Sequence, residues 1–194
     1  MTIYPNKGIF IDRDGVITEL ERYDENNPSF ICKIQQIKFI EGTFEALQLL
    51  KQKGYKIIII GNCPQIARGL VTENRMKKLI QYIKNELRKN DADFDDYFYC
   101  PHHPTKGKGR YKIDCGCRKP KCGMITDASK KHKINLKESY VVGDRTGDIK
   151  AGKLAGCKTI GVKTGYGCKD PYNDSTPDFM VENLLEAVKI IKGD

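Results

Sequence analysis

The chain has 194 residues with a formal net charge of +9, and 39% of its residues are hydrophobic. This length favours one sizeable core, so we predict a single domain over residues 1–194. The longest apolar run, residues 57–60, is far shorter than the roughly 20 residues that span a bilayer, which argues against a membrane partner.

The charge and the cysteines restrict the partners and the compartment. Lysines scattered from Lys51 to Lys192 indicate a solvated basic surface, with a denser cluster at residues 106–112. Such a charge favours anionic ligands, either phosphorylated metabolites or nucleic acids. The N-terminus lacks a basic region followed by a long apolar run, so the eight cysteines favour reduced thiols and a metal site over disulfides. We expect a cytoplasmic protein.

Strand-like and helix-like patterns alternate along the chain, which is typical of βαβ units around a parallel sheet. Strands are predicted at residues 8–11, 56–60, 96–99, 140–142 and 159–162. Helices are predicted at residues 43–53, 72–88, 124–133, 148–155 and 181–191. The expected fold class is therefore α/β, with a three-layer, Rossmann-like parallel sheet.

The first predicted strand ends in two acids, Asp12 and Asp14, followed by Gly15. Parallel strands open at their carboxyl ends onto the crevice where such folds bind ligands. One acid can attack a phosphorus atom while the other transfers protons, so we predict Asp12 as nucleophile and Asp14 as general acid and then base. Asp and Gly are also common turn residues, so an acidic turn is the alternative.

A second pair of acids, Asp144 and Asp148, follows the strand predicted at residues 140–142. Mg²⁺ prefers oxygen ligands and usually takes only one or two carboxylates besides water and substrate phosphate. We therefore predict a Mg²⁺ site formed by Asp12, Asp14 and Asp144, with a main-chain carbonyl among the ligands. Asp148 is expected to lie behind these ligands and support them.

Four segments together resemble the haloacid dehalogenase (HAD) superfamily of phosphatases. They are residues 10–17, 61–69, 100–104 with 115–120, and 142–148. Within that superfamily the chain is most similar to the branch of D-glycero-D-manno-heptose-1,7-bisphosphate 7-phosphatases and histidinol phosphatases, because few other members carry the third segment. The resemblance covers residues 8–162. It implies a Mg²⁺-dependent phosphomonoesterase that works through an aspartyl-phosphate.

The third segment matches the zinc loop of that branch. The implied Zn²⁺ ligands are Cys100, His102, Cys115 and Cys117. Three thiolates and one imidazole make a closed tetrahedral set, which is typical of a structural site. His103 is the alternative to His102 as the imidazole ligand. Four residues without a metal, with free thiols, are the alternative to a zinc site. Arg118 and Lys119 follow directly and are predicted to neutralise the phosphoryl group during transfer.

The second segment departs from the family pattern. The family usually has Thr or Ser where this chain has Gly61, so a hydroxyl that would contact the phosphoryl group is absent. We expect the Gly61 main-chain N–H and the Asn62 amide to bind that group instead. Losing one donor can cost about two decades in rate. The chain is therefore expected to be slow, to act on another substrate, or to use a neighbouring donor; a non-enzymatic phosphate-binding remnant is a further alternative.

The intervals between the motifs leave no space for a separate cap domain. Residues 18–42 are few, and residues 119–144 are filled by one predicted helix. We expect an open site, shaded by residues 18–40 and by the zinc loop, and therefore dependent on these loops for excluding water. Tyr23 and Phe30 in the first loop either contact the ligand or pack on the body of the protein.

The leading functional prediction is hydrolysis of a small phosphorylated sugar. The resemblance implies the 7-phosphate of heptose 1,7-bisphosphate, on the route to nucleotide-activated heptose, and histidinol phosphate is the alternative from the same branch. A nucleic-acid 3′-phosphatase is the alternative from another class. The aromatic residues do not interleave with a basic stripe, so we expect no nucleic-acid partner. The chain is predicted to be a monomer.

Overall fold

The computed structural model describes residues 4–20, 30–170 and 175–191. The strands are β1 Gly8–Asp12, β2 Lys56–Asn62, β3 Asp96–Cys100, β4 Tyr140–Gly143, β5 Lys158–Val162 and β6 Phe179–Val181. The helices are α1 Thr43–Gln52, α2 Pro64–Ala67, α3 Glu73–Lys89, α4 Gly123–His132, α5 Thr146–Ala155 and α6 Leu184–Ile190. Short 3-10 turns lie at Ile34–Gln36, Gly109–Tyr111 and Leu136–Glu138.

The six strands form one parallel sheet in the order β3-β2-β1-β4-β5-β6. Strand β1 is buried along its whole length, as expected for a central strand of a parallel sheet covered on both faces. The strand order reverses between β1 and β4, and open α/β sheets bind their ligands at such a switch point. The predicted α/β class is confirmed.

Helices cover both faces of the sheet. Side chains alternate across each strand, so Ile9 and Ile11 of β1 join the core under α1 and α6, whereas Phe10 joins the core under α4 and α5. The result is the predicted three-layer arrangement. The strand ends that carry the acids lie between these two cores.

The C-terminal segment differs from its prediction. The predicted helix over residues 181–191 is wrong at its start, because Phe179–Val181 pairs with β5 as strand β6. Helix α6 begins at Leu184, where Asn183 caps it by accepting a hydrogen bond from the Glu186 N–H at 3.0 Å. The one-turn helix α2 was also not predicted, since four residues are too few to show a helical period.

Thirty residues, 13–42, separate β1 from α1. That is fewer than the roughly 40 residues that a unit needs to build its own core, so this segment is too short to form a separate cap domain. In the described part of this segment, isolated bridges join Thr18 to Asp14 and to Phe39. Tyr23 lies outside the described residues. None of the helices that the structure describes has the length and apolar character of a membrane span.

Candidate active site

Three carboxylates meet at the carboxyl edge of the sheet. Asp12 ends β1, Asp144 follows β4, and Asp148 lies in the first turn of α5. Their ligand atoms all lie within 4.8 Å of one another, and all three residues are buried. Two strand ends that are far apart in sequence thus deliver acids to one point.

Lys119 is the cation of this cluster. Its Nζ lies 2.7 Å from Asp12 Oδ1 and 2.6 Å from Asp148 Oδ1, and the lysine is itself buried. Asn62 fixes the backbone of this lysine, because its Nδ2 donates to the Lys119 carbonyl at 3.0 Å and its Oδ1 accepts from the Lys119 N–H at 3.1 Å. At most one N–H of the Asn62 amide is left for a phosphoryl group.

The remaining contacts distinguish the three acids. Both oxygens of Asp148 are engaged, one by Lys119 and the other by the Arg145 N–H at 3.1 Å. Asp144 Oδ2 accepts from the Tyr166 N–H at 2.9 Å, whereas its Oδ1 is buried without a hydrogen-bond partner. Asp12 Oδ1 accepts from Lys119 and from the Arg13 N–H at 2.8 Å. Asp12 Oδ2 and Asp144 Oδ1 are therefore the oxygens available to a ligand.

The cluster carries excess negative charge once its acids are ionised. The pKa of Asp12 is raised to about 7, chiefly by burial and then by Asp148, while Lys119 opposes the shift. Burial, Asp12 and Asp148 hold the pKa of Asp144 well above its ordinary value. Burial opposes the charge on Lys119, but Asp12 and Asp148 raise its pKa. One ammonium beside three buried carboxylates leaves charge that a divalent cation would balance.

The Asp14 carboxylate lies outside this cluster. It accepts from Arg13 Nε at 2.6 Å, pairs with Arg13 Nη2, and accepts from Thr18 Oγ1 at 2.9 Å. In this arrangement Asp14 therefore contributes no carboxylate oxygen to the acid cluster. Gly15 makes the turn out of the strand with φ of +91°, and a Cβ there would lie 2.3 Å from Asp144 Oδ2.

Arg118 lies beside the cluster in a cationic group. Its Nη1 donates to the His102 carbonyl at 3.0 Å. Burial lowers its pKa, and Arg145 and Arg68 lower it further, although the Cys100 and Cys115 thiols oppose them. The Arg68 guanidinium lies 5.2 Å from the centre of the Phe30 ring, so Phe30 contacts one of these arginines. The arginines give the cleft a positive potential that attracts anions.

The zinc-loop residues form a second cluster. Cys100 Sγ lies 3.4 Å from Cys115 Sγ and 3.7 Å from His102 Nδ1, while Cys117 Sγ lies 3.2 Å and 3.6 Å from the same two atoms. Edges of about 3.5–3.8 Å are expected for a tetrahedron with Zn–S of about 2.3 Å. His103 points elsewhere, because its Nδ1 accepts from the Thr105 and Lys106 N–H groups at 3.3 and 3.0 Å.

Three residues of this region were missed by the sequence analysis. Arg13 is only 1% exposed, although a charged residue in a turn is ordinarily solvated. Tyr166 contributes its main-chain N–H to Asp144 from the loop after β5. Tyr97 places its hydroxyl 3.0 Å from where a Cβ of Gly61 would lie. The arginine between two acids at residues 12–14 was the one sequence signal of this arrangement.

Comparison with known proteins gives this architecture a family. A family model described as HAD-hydrolase-like matches residues 116–187. The D-glycero-beta-D-manno-heptose-1,7-bisphosphate 7-phosphatase of Haemophilus influenzae is 37% identical over 188 residues, which cover 96% of this chain and 97% of the relative. The D-glycero-alpha-D-manno-heptose-1,7-bisphosphate 7-phosphatase of Photorhabdus laumondii is 36% identical, with coverage of 96% and 97%.

A solved structure shows the same architecture. The crystal structure of D,D-heptose 1,7-bisphosphate phosphatase from B. bronchiseptica, complexed with magnesium and phosphate, is similar with a TM-score of 0.78. The two proteins are 26% identical, and the match covers 95% of this chain and 97% of that one.

Proposed function

This chain belongs to the D-glycero-D-manno-heptose-1,7-bisphosphate 7-phosphatase family of the HAD-like hydrolases, and from that premise we propose that it releases the 7-phosphate of heptose 1,7-bisphosphate through an aspartyl-phosphate. The observation that carries the mechanism is the meeting of Asp12, Asp144 and Lys119 in one buried cluster. We propose that residues 1–194 act as one domain, which the continuous sheet from β1 to β6 supports.

Asp12 is the proposed nucleophile. Its Oδ1 is held by the Arg13 N–H and by Lys119, which directs Oδ2 to the phosphorus atom. Attack forms the Asp12–phosphorus bond and breaks the bond to the 7-oxygen of the sugar. Lys119 neutralises charge on the phosphoryl oxygens as it develops.

Asp14 is the proposed proton carrier. It gives its proton to the departing 7-oxygen, and its carboxylate then takes a proton from the water that attacks the phospho-Asp12. This second step releases inorganic phosphate and restores both acids to their starting forms. The Asp14 side chain is 24% exposed, which leaves it space to turn from Arg13 towards the leaving group.

Mg²⁺ is the proposed metal of the acid cluster. The unpartnered Asp144 Oδ1, the excess negative charge and the all-oxygen donor set fit a hard divalent cation. Asp12, Asp144 and the Asp14 carbonyl would hold it, and Asp148 would keep Lys119 in place. When bound, Mg²⁺ supplies positive charge that orients and neutralises the phosphoryl group.

Zn²⁺ is the proposed metal of the second cluster. Three thiols and one imidazole suit a closed structural site, in which no position is left for water. The loop that it would close leads directly into Arg118 and Lys119. We propose that Zn²⁺ holds this loop so that Lys119 reaches Asp12.

Phosphate release from a panel of substrates tests the proposed function. We expect Mg²⁺-dependent release from heptose 1,7-bisphosphate, with both anomers measured separately, because the two quoted relatives differ in the anomer they are named for. Histidinol phosphate and a 3′-phosphorylated oligonucleotide are measured as alternative substrates. A higher kcat/KM for either alternative than for heptose 1,7-bisphosphate would contradict the proposed substrate.

We also predict that Mg²⁺ stabilises the protein more at pH 8 than at pH 6. Burial and the neighbouring acids raise the pKa values of Asp12, to about 7, and of Asp144. A carboxyl whose pKa is raised by folding adds to the free energy of unfolding of the metal-free protein at low pH. This added stability is lost as the pH rises through about 7. Mg²⁺ needs the deprotonated acids, so its stabilisation grows over the same window.

The gain in Tm on adding saturating Mg²⁺, measured from pH 6 to pH 8, checks this prediction. Asp144→Asn should reduce the gain at every pH, whereas Asp127→Asn on the exposed face of α4 should leave it unchanged. A gain independent of pH would contradict the assignment of these acids as the metal ligands.

A further inference from the structure

The position of Gly61 is filled from the neighbouring strand. Gly61 lies on β2 on the same face as Ile59, and Ile59 pairs in register with Tyr97 of β3. The Tyr97 side chain therefore reaches along the face towards Gly61. A Cβ at Gly61 would lie 3.0 Å from Tyr97 Oη and 3.8 Å from Tyr97 Cζ. The hydroxyl oxygen thus occupies the space that a side chain at position 61 would need.

The Tyr97 hydroxyl is bonded to the arginine that pairs with the general acid. Arg13 Nη1 donates to Tyr97 Oη at 3.1 Å, while Nε and Nη2 of the same guanidinium face Asp14. Arg13 is 1% exposed, and Met76 Sδ lies 3.6 Å from Nη1 on the other side. A buried guanidinium needs its N–H groups satisfied, so the hydroxyl limits where Arg13 can lie.

The hydroxyl is an uncharged partner. Burial, only partly opposed by Arg13, holds the pKa of Tyr97 well above its ordinary value. Tyr97 therefore accepts from Arg13 without competing with Asp14 for its charge. When Asp14 turns to the leaving group, Tyr97 remains bonded to the guanidinium.

We infer that Tyr97 is a positioning residue whose hydroxyl, brought from β3, fills the space of the side chain absent at position 61, and that it holds Arg13 and through it the Asp14 side chain. Gly61 is then the residue that makes space for this hydroxyl. The inference rests on the proposed function, because it assigns Asp14 the role of proton carrier. The inference implies that residues 61 and 97 are coupled, because a larger side chain at position 61 would need the space that the Tyr97 hydroxyl occupies.

The proposed role of Asp14 as general acid can be tested by comparing kcat/KM for substrates with poor and good leaving groups. The quantity kcat/KM includes only the steps up to departure of the leaving group. The 7-oxygen of heptose 1,7-bisphosphate needs a proton to leave, whereas the anion of p-nitrophenyl phosphate's leaving group is stable without one. A misplaced general acid should therefore lower kcat/KM for the sugar phosphate and spare the aryl phosphate.

Tyr97→Phe is expected to lower kcat/KM for the sugar bisphosphate about tenfold and to keep that for p-nitrophenyl phosphate within about twofold. Tyr99→Phe is the matched control, because Tyr99 lies two residues further along the same strand and face, and both values should stay unchanged. An equal loss with both substrates, or no loss with either, would overturn the positioning role.

Moving the hydroxyl from residue 97 to residue 61 tests whether these two positions are coupled. Gly61→Thr alone forces a Cβ against Tyr97 Oη and is expected to lower Tm by about 3–8 °C. In the Tyr97→Phe background the same change should cost less than about 2 °C and bring back most of the lost sugar-phosphate kcat/KM, because a threonine hydroxyl can then reach Arg13. Additive Tm changes without recovery of activity would overturn the pairing.

The controls separate this inference from the proposed function. If the unchanged protein hydrolyses the aryl phosphate but not heptose 1,7-bisphosphate, the proposed substrate fails, and the Tyr97→Phe comparison is made with the alkyl phosphate of the panel that the protein does hydrolyse. If it releases no phosphate from any substrate, the proposed function and the positioning role fail together. Turnover that is intact yet insensitive to Tyr97→Phe overturns the positioning role alone.

Discussion

Asp12→Asn is expected to lower phosphate release by about 10⁴-fold or more, with heptose 1,7-bisphosphate and with any other phosphomonoester. An amide oxygen can still accept from the Arg13 N–H and from Lys119, so the contacts that shape the site are retained. The amide cannot form an acyl phosphate, because it lacks the anionic oxygen that attacks the phosphorus atom. The loss should therefore appear in kcat rather than in folding.

Two further readouts sharpen this test. Trapping of labelled phosphate on the protein after acid quench should detect the aspartyl-phosphate in the unchanged chain and not in the variant. The Tm of the metal-free variant should equal or exceed that of the unchanged protein, because one buried carboxylate with a raised pKa is removed. Asp127→Asn on α4 is the control with the same chemical change. Turnover that survives in Asp12→Asn would remove the proposed mechanism.

Loss of zinc is expected to have the largest effect on the fold. Structural Zn²⁺ binding contributes about 10 kcal/mol or more to small metal-stabilised units. The four proposed ligands join the end of β3 to the loop that carries Lys119, so without the metal this loop should lose its closure. Lys119 would then leave Asp12 and Asp148 as buried acids without their cation, which costs about 3–5 kcal/mol.

Cys117→Ser tests this expectation. The variant should contain less than one equivalent of zinc by elemental analysis, melt at least about 5 °C lower, and lose about 10²-fold or more in kcat. Cys32→Ser is the matched control, since Cys32 is also partly buried but lies outside the cluster. A zinc-free protein that keeps both its Tm and its kcat would show that the cluster is not a structural site.

The two tests separate two kinds of contribution. Asp12→Asn should remove the proposed reacting atom from a site whose scaffold is intact, whereas Cys117→Ser should loosen the segment that holds Lys119 beside that atom. Because Asn62 also holds the Lys119 backbone, zinc loss should reduce activity without abolishing it. We therefore expect Cys117→Ser to keep more residual activity than Asp12→Asn.

The strand ends illustrate what local patterns can predict. A buried apolar run that stops at Asp12, and a second that stops before Asp144, predict a shared edge because parallel strands present their carboxyl ends together. The structure places both acids in one cluster. Strand β6 was missed because three half-exposed residues carry no such pattern, and its pairing with β5 is a tertiary event.

The side chains of the site could be predicted less completely. Nothing in the sequence shows that Asp14 turns to Arg13 while Asp148 turns to Lys119, because each choice depends on a rotamer selected by surrounding contacts. The role of Asn62 in holding Lys119 likewise joins two distant residues, because the Asn62 side-chain amide makes two hydrogen bonds with the Lys119 main chain.

The sequence by itself determined the α/β class, the acids at two strand ends and the composition of the Cys and His cluster, because apolar periodicity and motif spacing are local properties of a chain. Only the tertiary structure decided that Arg13 is buried, that Asp144 Oδ1 is left without a partner, and that Tyr97 fills the space beside Gly61. These features depend on strand register and on packing between residues distant in sequence, which no local pattern encodes.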